Sequence, residues 1–104
     1  MDILKIMQQA QEMQARLKQV QDELDRLTIT GSAGGGMVSV ETDGKGHVRT
    51  VRIDPKVVNP ADVELLEDLV VAATAEAQRK AGEAAQAEMA KVTGGLNLPF
   101  PLSI

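Results

Sequence analysis

The first 27 residues carry apolar side chains at a regular helical spacing. Successive apolar positions lie alternately three and four residues apart, and no Gly or Pro interrupts the run. This spacing is typical of a helix that packs along another helix. We predict a helix over residues 3–27. Its apolar seam consists of Ile3, Ile6, Ala10, Met13, Leu17, Val20, Leu24 and Leu27.

The length of this helix bears on how the seam is covered. At ~1.5 Å per residue the helix is about 37 Å long, which is longer than a small globular domain is wide. We therefore expect part of the seam to contact a second subunit. Packing wholly against another long helix of the same chain stays open as the alternative.

The next stretch alternates apolar and polar residues with a period of two, which indicates strands. The alternation is clear in MVSVET (37–42) and again in VRTVRID (48–54), and the intervening DGKG (43–46) is a hairpin turn signal. Val48 is out of phase with the residues that follow, which indicates a bulge or a late strand start near His47. We predict three antiparallel strands at about 28–33, 37–42 and 48–53.

A second long helix is predicted over about 60–93. Asp54-Pro55 and Asn59-Pro60 are stop and start signals, and Asn59 followed by Asp62 resembles a capping box. The first half carries a broad apolar stripe, whereas the second half is rich in Ala and interrupted by Gly82, which indicates a close backbone contact or a bend. The tail, 94–104, reads LNLPFPLSI after two glycines. It is either disordered or packed on a groove of this chain or of a partner.

The order of elements predicts an α+β fold of one domain, residues 1–104, with the arrangement α-β-β-β-α. The chain has no Trp or Tyr and a single Phe, Phe100. A core of aliphatic side chains buries less area than one with large rings, and small domains already bury a low fraction of their surface. We therefore expect two copies to share a core.

Composition excludes several classes of protein. The net charge of −4 argues against coating nucleic acid by bulk attraction. With no Cys there are no disulfides and no thiolate metal sites. No apolar run approaches ~20 residues, and the first residues lack the features of a signal peptide. We expect a cytoplasmic protein with no membrane association.

The glycines and the histidine do not form a catalytic or phosphate-binding motif. Gly31 and Gly36 have the glycine spacing of a P-loop, but Met37 and Val38 stand where Lys and Ser/Thr are needed. The dinucleotide pattern fails as well, because neither glycine cluster opens a helix. The single histidine, His47, lies beside a turn and belongs to no motif. We predict that the protein is not an enzyme and that it has no catalytic residues, no metal site and no cofactor.

Basic residues are scattered along the chain and do not form a block of like charge. Arg16 lies near Lys18 on the first helix, and Arg79, Lys80 and Lys91 lie on the second. Lys80 and Lys91 fall three turns apart on one helix face, a stripe that could follow a phosphate backbone. A solvated charged face is the alternative reading of the same pattern.

The whole chain resembles the YbaB/EbfC family of bacterial nucleoid-associated proteins. The resemblance is carried by the helix MQQAQEMQARLKQVQDELDRL, the segment TGSAGGGMVSVETDGKGHVRTVRIDP, LLEDLVVAATAEAQRKA and MAKVTGGLNLPF. It implies the α-β-β-β-α chain with a three-stranded antiparallel sheet and two long helices. It also implies a tweezer-like homodimer that binds double-stranded DNA with little sequence specificity, organises the nucleoid or modulates transcription, and resides in the cytoplasm and nucleoid.

The same resemblance implies DNA contact at the helix positions that are basic in this chain. These are Lys5, Arg16, Lys18, Arg79, Lys80 and Lys91. The sheet cations Lys45, Arg49 and Arg52 are second choices, because the sheet is the expected dimer surface.

A different hypothesis is that the protein is a small dimeric scaffold that binds a protein partner rather than DNA. In that case the acidic surface and the apolar tail would form the recognition features. Loss of the partner on deletion of 96–104, with DNA binding unaffected, would distinguish the two hypotheses.

Overall fold

The computed structural model describes residues 2–94, and the predicted tail beyond Gly94 lies outside them. The predicted α-β-β-β-α order is confirmed. Its elements are α1 (Ile3–Arg26), β1 (Ile29–Ala33), β2 (Val38–Thr42), β3 (Val48–Ile53), a short 3₁₀ turn (Pro55–Val57) and α2 (Val63–Gly94).

The three strands form one antiparallel sheet in the order β1-β2-β3. The β1–β2 turn contains Gly34, Gly35 and Gly36 in succession, all with positive φ, a conformation that favours glycine. The predicted irregularity of the second hairpin lies at Arg49, two residues beyond His47. Glu41 pairs with Thr50, and the next residue, Thr42, pairs with Val48, so Arg49 is the extra residue at which the register shifts.

The main core lies between the sheet and α2. Residues of β2 are alternately buried and half-buried, as the period of two predicts. Val38 and Val40 pack with Ala73 and Ala77 of α2 and with Val57 of the 3₁₀ turn. Because the residues of α2 at this contact are alanines, the helix can lie close to the strands.

α2 covers β1 and β2 and leaves β3 at the open side of the sheet. Val51 pairs with Val40, and Ile53 pairs with Val38, so these apolar side chains point to the same face as the buried valines. Nevertheless Val51 is 44% exposed, and every residue of β3 is exposed. The sheet therefore ends in a strand whose apolar face is left uncovered by residues 2–94.

A second, smaller core joins α1 to the end of α2. Val20 and Leu24 are buried against Val92, with Met13 and Leu17 partly buried beside them. Among residues 2–94 the predicted seam is therefore covered only in its second half, and the first half of α1 is exposed. The molecule measures 71 × 24 × 16 Å with a radius of gyration of 19.6 Å, against about 13 Å for a compact domain of 100 residues.

The predicted start and cap of α2 were wrong. The helix begins at Val63 rather than near residue 60, because Asn59 accepts from the Ala61 N–H in a turn of its own. Asp62 instead accepts from the Leu65 N–H at 3.3 Å, as an N-cap does. Of the two alternatives predicted at Gly82, the close backbone contact is excluded, since a Cβ at that position would meet open space, and the bend stays a prediction.

Candidate nucleic-acid interface

Three predicted contact residues lie on α1 with their charges free. Lys5, Arg16 and Lys18 are exposed, and within residues 2–94 none of them forms an ion pair. Glu12, which precedes Arg16 by one helical turn, does not pair with it. An exposed cation without an intramolecular partner gives up no existing ion pair when it meets a phosphate, so these side chains are well suited to bind one.

The positions of these three cations on the helix differ. Lys5 and Arg16 are eleven residues apart, which is about three turns, so they lie on one face with a rise of about 16.5 Å between them. Lys18 follows Arg16 by two residues and therefore points to a different side of α1. α1 thus carries a short two-cation stripe and one separate positive charge.

The three predicted contact residues on α2 are each paired with a glutamate of the same helix. These ion pairs are Arg79–Glu83 at 2.7 Å, Lys80–Glu76 at 3.0 Å and Lys91–Glu88 at 3.0 Å. In addition, Lys80 Nζ donates to the Thr30 carbonyl at 3.2 Å. The α2 cations are therefore locally neutralised, and the predicted Lys80 and Lys91 stripe is also lined with acids.

These pairs stabilise the ionised form of two glutamates. The hydrogen bond and charge of Lys80 hold the pKa of Glu76 below its usual value, and burial opposes the shift. For Glu88 the hydrogen bond from Lys91 is the main cause of the lowered pKa, followed by a hydrogen bond with the Glu23 side chain. Both carboxylates therefore remain charged at neutral pH.

A cleft between α1 and α2 brings two of the predicted cations together. Arg16 of α1 and Lys91 of α2 line it, and its volume is about 260 Å³. Its other residues are Gln19, Val20, Glu23, Glu88 and Val92. Because two glutamates share the cleft with the two cations, it is mixed in charge and is not a strong anion site.

Two of the three sheet cations, Lys45 and Arg49, hold the second hairpin against the end of α1, whereas Arg52 lies 3.8 Å from Glu41 of β2. Lys45 Nζ lies 2.8 Å from Asp25 Oδ1, and Arg49 donates to the Asp25 carbonyl. The Gly44 N–H donates to the Leu24 carbonyl at 2.7 Å. Carbonyls of the last turn of α1 are thereby satisfied. Lys45 and Arg49 are thus engaged in contacts that stabilise the fold, which makes them poor candidates for DNA contact.

Asp43 organises the turn that carries these cations. Its Oδ1 accepts from the backbone N–H of Lys45 at 2.8 Å and of His47 at 3.0 Å, and its Oδ2 lies 3.1 Å from His47 Nδ1. Burial would raise the pKa of Asp43, but these hydrogen bonds and the imidazole together lower the pKa below its usual value. The single histidine is thus a partner of a structural carboxylate.

Sequence reasoning missed two exposed cations. Arg26 in the last turn of α1 and Lys56 in the 3₁₀ turn form no ion pair with any residue in the described part of the chain. Arg26 could have been found, because it is a basic residue of the same helix as Lys5 and Arg16. Nothing in the sequence around Lys56 distinguishes it from any other surface lysine.

The described part of the chain contains no recognisable metal site. Among residues 2–94, no group of three or more His, Asp or Glu side chains is placed to hold a metal ion. Over the same residues, neither helix has the length and apolar character needed to cross a membrane.

Fold and site together define a small α+β protein with two long helices and free cations on one of them. Residues 1–96 match the model of the YbaB/EbfC DNA-binding family. The chain belongs to this family, as its sequence predicts.

Curated relatives are similar over almost their full length. A protein of Gemmatimonas aurantiaca named nucleoid-associated protein is 48% identical over 102 residues, 98% of each chain. A nucleoid-associated protein of Gluconacetobacter diazotrophicus is 53% identical over 97 residues, covering 93% of this chain and 91% of its own. An uncharacterized protein from Helicobacter pylori has a solved structure with the same fold. It aligns with a TM-score of 0.80 and 22% identity over 90% of this chain and 99% of its own.

Proposed function

We propose that this protein is nucleoid-associated and binds double-stranded DNA as a homodimer, through contacts to the phosphate backbone and with little sequence specificity. In this role it organises the nucleoid or modulates transcription in the bacterial cytoplasm. The observation that carries the proposal is the set of three exposed α1 cations, Lys5, Arg16 and Lys18, that have no ion-pair partner among residues 2–94.

Backbone contact fits the chemistry of these side chains better than base reading does. Lys and Arg bind phosphate oxygens without regard to sequence, and such contacts position a protein rather than specify a site. The chain has no Trp or Tyr and a single Phe, Phe100, so it offers few aromatic rings for stacking on bases. With a net charge of −4, binding depends on where the cations lie and not on their total.

The uncovered face of β3 supports the homodimer. Val51 and Ile53 are 44% and 39% exposed beside a buried face, at the side of the sheet that α2 leaves open. A second copy related by a two-fold axis could bury both patches at once, because such an interface uses the same surface twice. Two α1 helices would then project from one sheet-centred body and present Lys5, Arg16 and Lys18 of each chain to one duplex.

The test is fluorescence anisotropy of a labelled duplex titrated with protein at two salt concentrations. If Lys5, Arg16 and Lys18 of both chains contact phosphates, these six contacts give a slope of log K against log[salt] of about −5.4, and affinity falls about 10³-fold between 50 and 200 mM salt. Duplexes of unrelated sequence should bind with similar affinity. Absence of binding at the lower salt concentration, together with co-purification of a protein partner, would overturn the proposal in favour of the scaffold hypothesis.

A further inference from the structure

The free end of α1 carries an apolar patch that no described residue covers. We call it the α1 tip patch, and it consists of Ile3, Leu4, Ile6 and Met7. Their exposures are 69%, 73%, 48% and 55%. Four large apolar side chains within five residues are costly to leave in water, at about 25 cal/mol per Å² of apolar surface. Burial of the patch under other apolar side chains is therefore favourable.

The two helices run antiparallel, which places the end of α2 alongside α1. The start of β1, three residues after α1, lies beside Lys80, whose Nζ donates to the Thr30 carbonyl. Val92 lies beside Val20 in the small core. From Lys80 to Val92, α2 therefore runs towards the N-terminal end of α1. A chain that continues past Gly94 in this direction leads towards the α1 tip patch.

The sequence that follows Gly94 has the pattern such an occupant needs. Pro99 and Pro101 exclude a regular helix and favour extended backbone. An extended segment places alternate side chains on one face. In residues 95–104 the alternate positions are all apolar: Leu96, Leu98, Phe100, Leu102 and Ile104.

The length of this segment also fits. Ten residues in extended conformation span up to about 33 Å. From Val20, which lies beside Val92, to Ile3 the helix rises about 26 Å. The segment can therefore reach the first turn of α1 without any movement of the helices.

We propose that residues 95–104 fold back in extended conformation along α1 of the same chain and bury their apolar face on the α1 tip patch. The covalent link to α2 favours this occupant over the same segment of a second copy, because it keeps the segment at a high effective concentration beside the patch. The docked segment completes the apolar seam of α1, from Met13 towards Ile3. The proposal does not depend on DNA binding.

Paramagnetic broadening in NMR tests the proposal, since the natural chain contains no Cys. A spin label on Ser103→Cys in a uniformly labelled full-length chain should strongly attenuate the methyl signals of Ile3, Leu4, Ile6 and Met7. It should leave those of Val57 in the main core intact. A label on Thr50→Cys, which is exposed on β3, is the matched control and should leave the patch signals intact.

Two further samples decide between occupants. Adding Phe100→Ser and Leu102→Ser to the labelled chain should restore the patch signals, because the apolar face of the segment is lost. Mixing spin-labelled chains with isotope-labelled chains that lack the spin label should give no attenuation of the patch. Intact patch signals in the first sample, attenuation that survives the serine substitutions, or attenuation in the mixture would each overturn the proposal.

Discussion

Gly31 of β1 lies directly against the backbone of Ala77 in α2. A Cβ on Gly31 would fall 2.3 Å from the Ala77 nitrogen and 2.4 Å from the Ala73 carbonyl oxygen. Both obstacles are backbone atoms of one helix, so no side-chain rotation can relieve the contact. The absence of a side chain at this one position therefore fixes the distance between α2 and the sheet.

Gly31→Ala should destabilise the protein by about 1–3 kcal/mol or more, because the helix must move away from the sheet. Gly82→Ala is the matched control. It introduces the same methyl group into open space on α2 and should stabilise by about 0.5–1 kcal/mol through helix propensity. Urea unfolding of both variants measures the two effects. A Gly31→Ala variant as stable as the natural protein would contradict the close packing of α2.

Asp43→Asn should lower the melting temperature at neutral pH by several degrees. The folded pKa of Asp43 lies below its usual value of 3.8, so the ionised form is favoured in the folded state. This stabilisation is fully present above pH 3.8, and it is lost as the pH falls through the lower folded pKa. Thermal melts of both proteins between pH 7 and about pH 2 should therefore converge at the acid end. A difference that is constant across this range would show that the charge of Asp43 is not its cause.

Removing charge from α1 should weaken DNA binding more than removing the same charge from α2. The double variant Lys5→Gln/Arg16→Gln should reduce the salt slope by about 1.8 per chain, since each lost phosphate contact contributes about 0.9. The matched variant Arg79→Gln/Lys80→Gln should have a smaller effect, because these cations are already paired with Glu83 and Glu76. Anisotropy titrations at several salt concentrations give both slopes. Equal loss in the two variants would contradict the assignment of the interface to α1.

Val51→Lys should convert the proposed dimer to a monomer, because it places a charge in the centre of the uncovered β3 face. Thr50→Lys is the matched control. Thr50 pairs with Glu41 on the opposite face of the sheet, where a lysine is tolerated. Sedimentation velocity should report a dimer for the natural protein and for Thr50→Lys, and a monomer for Val51→Lys. A monomeric natural protein, or a dimer in all three samples, would refute this interface.

The local predictions that failed are those that depend on competition between neighbouring residues. Asn59 and Asp62 are both good N-caps, and the sequence gives no reason to choose between them. In the structure Asn59 closes the preceding turn, so Asp62 caps α2. Likewise Gly31 and Gly82 both interrupt an element, and only the packing of α2 on β1 decides which of them makes a close contact.

The sequence predicted which cations of the candidate interface are exposed on the helices, but not which of them form ion pairs. All six predicted cations lie on helices and are exposed, as their positions in the periodic pattern require. Which of them are neutralised depends on side-chain geometry: Glu76 reaches Lys80, whereas Glu12 does not reach Arg16, although both pairs have the same spacing. An exposed pair at this spacing contributes only about 0.3–0.5 kcal/mol, so small differences in surroundings decide whether it forms.

By itself the sequence determined the order of the elements, the two helical periods and the alternation of the strands. Each of these follows from which side chains can be buried on a helix or strand of known repeat. Only the tertiary structure decided that α2 covers β1 and β2 but not β3, that residues 2–94 leave half of the α1 seam open, and that the predicted contact cations are unpaired on α1 but paired on α2. These outcomes depend on contacts between residues distant in the chain, such as Gly31 with Ala77 and Val20 with Val92, and local spacing carries no information about which distant surfaces meet.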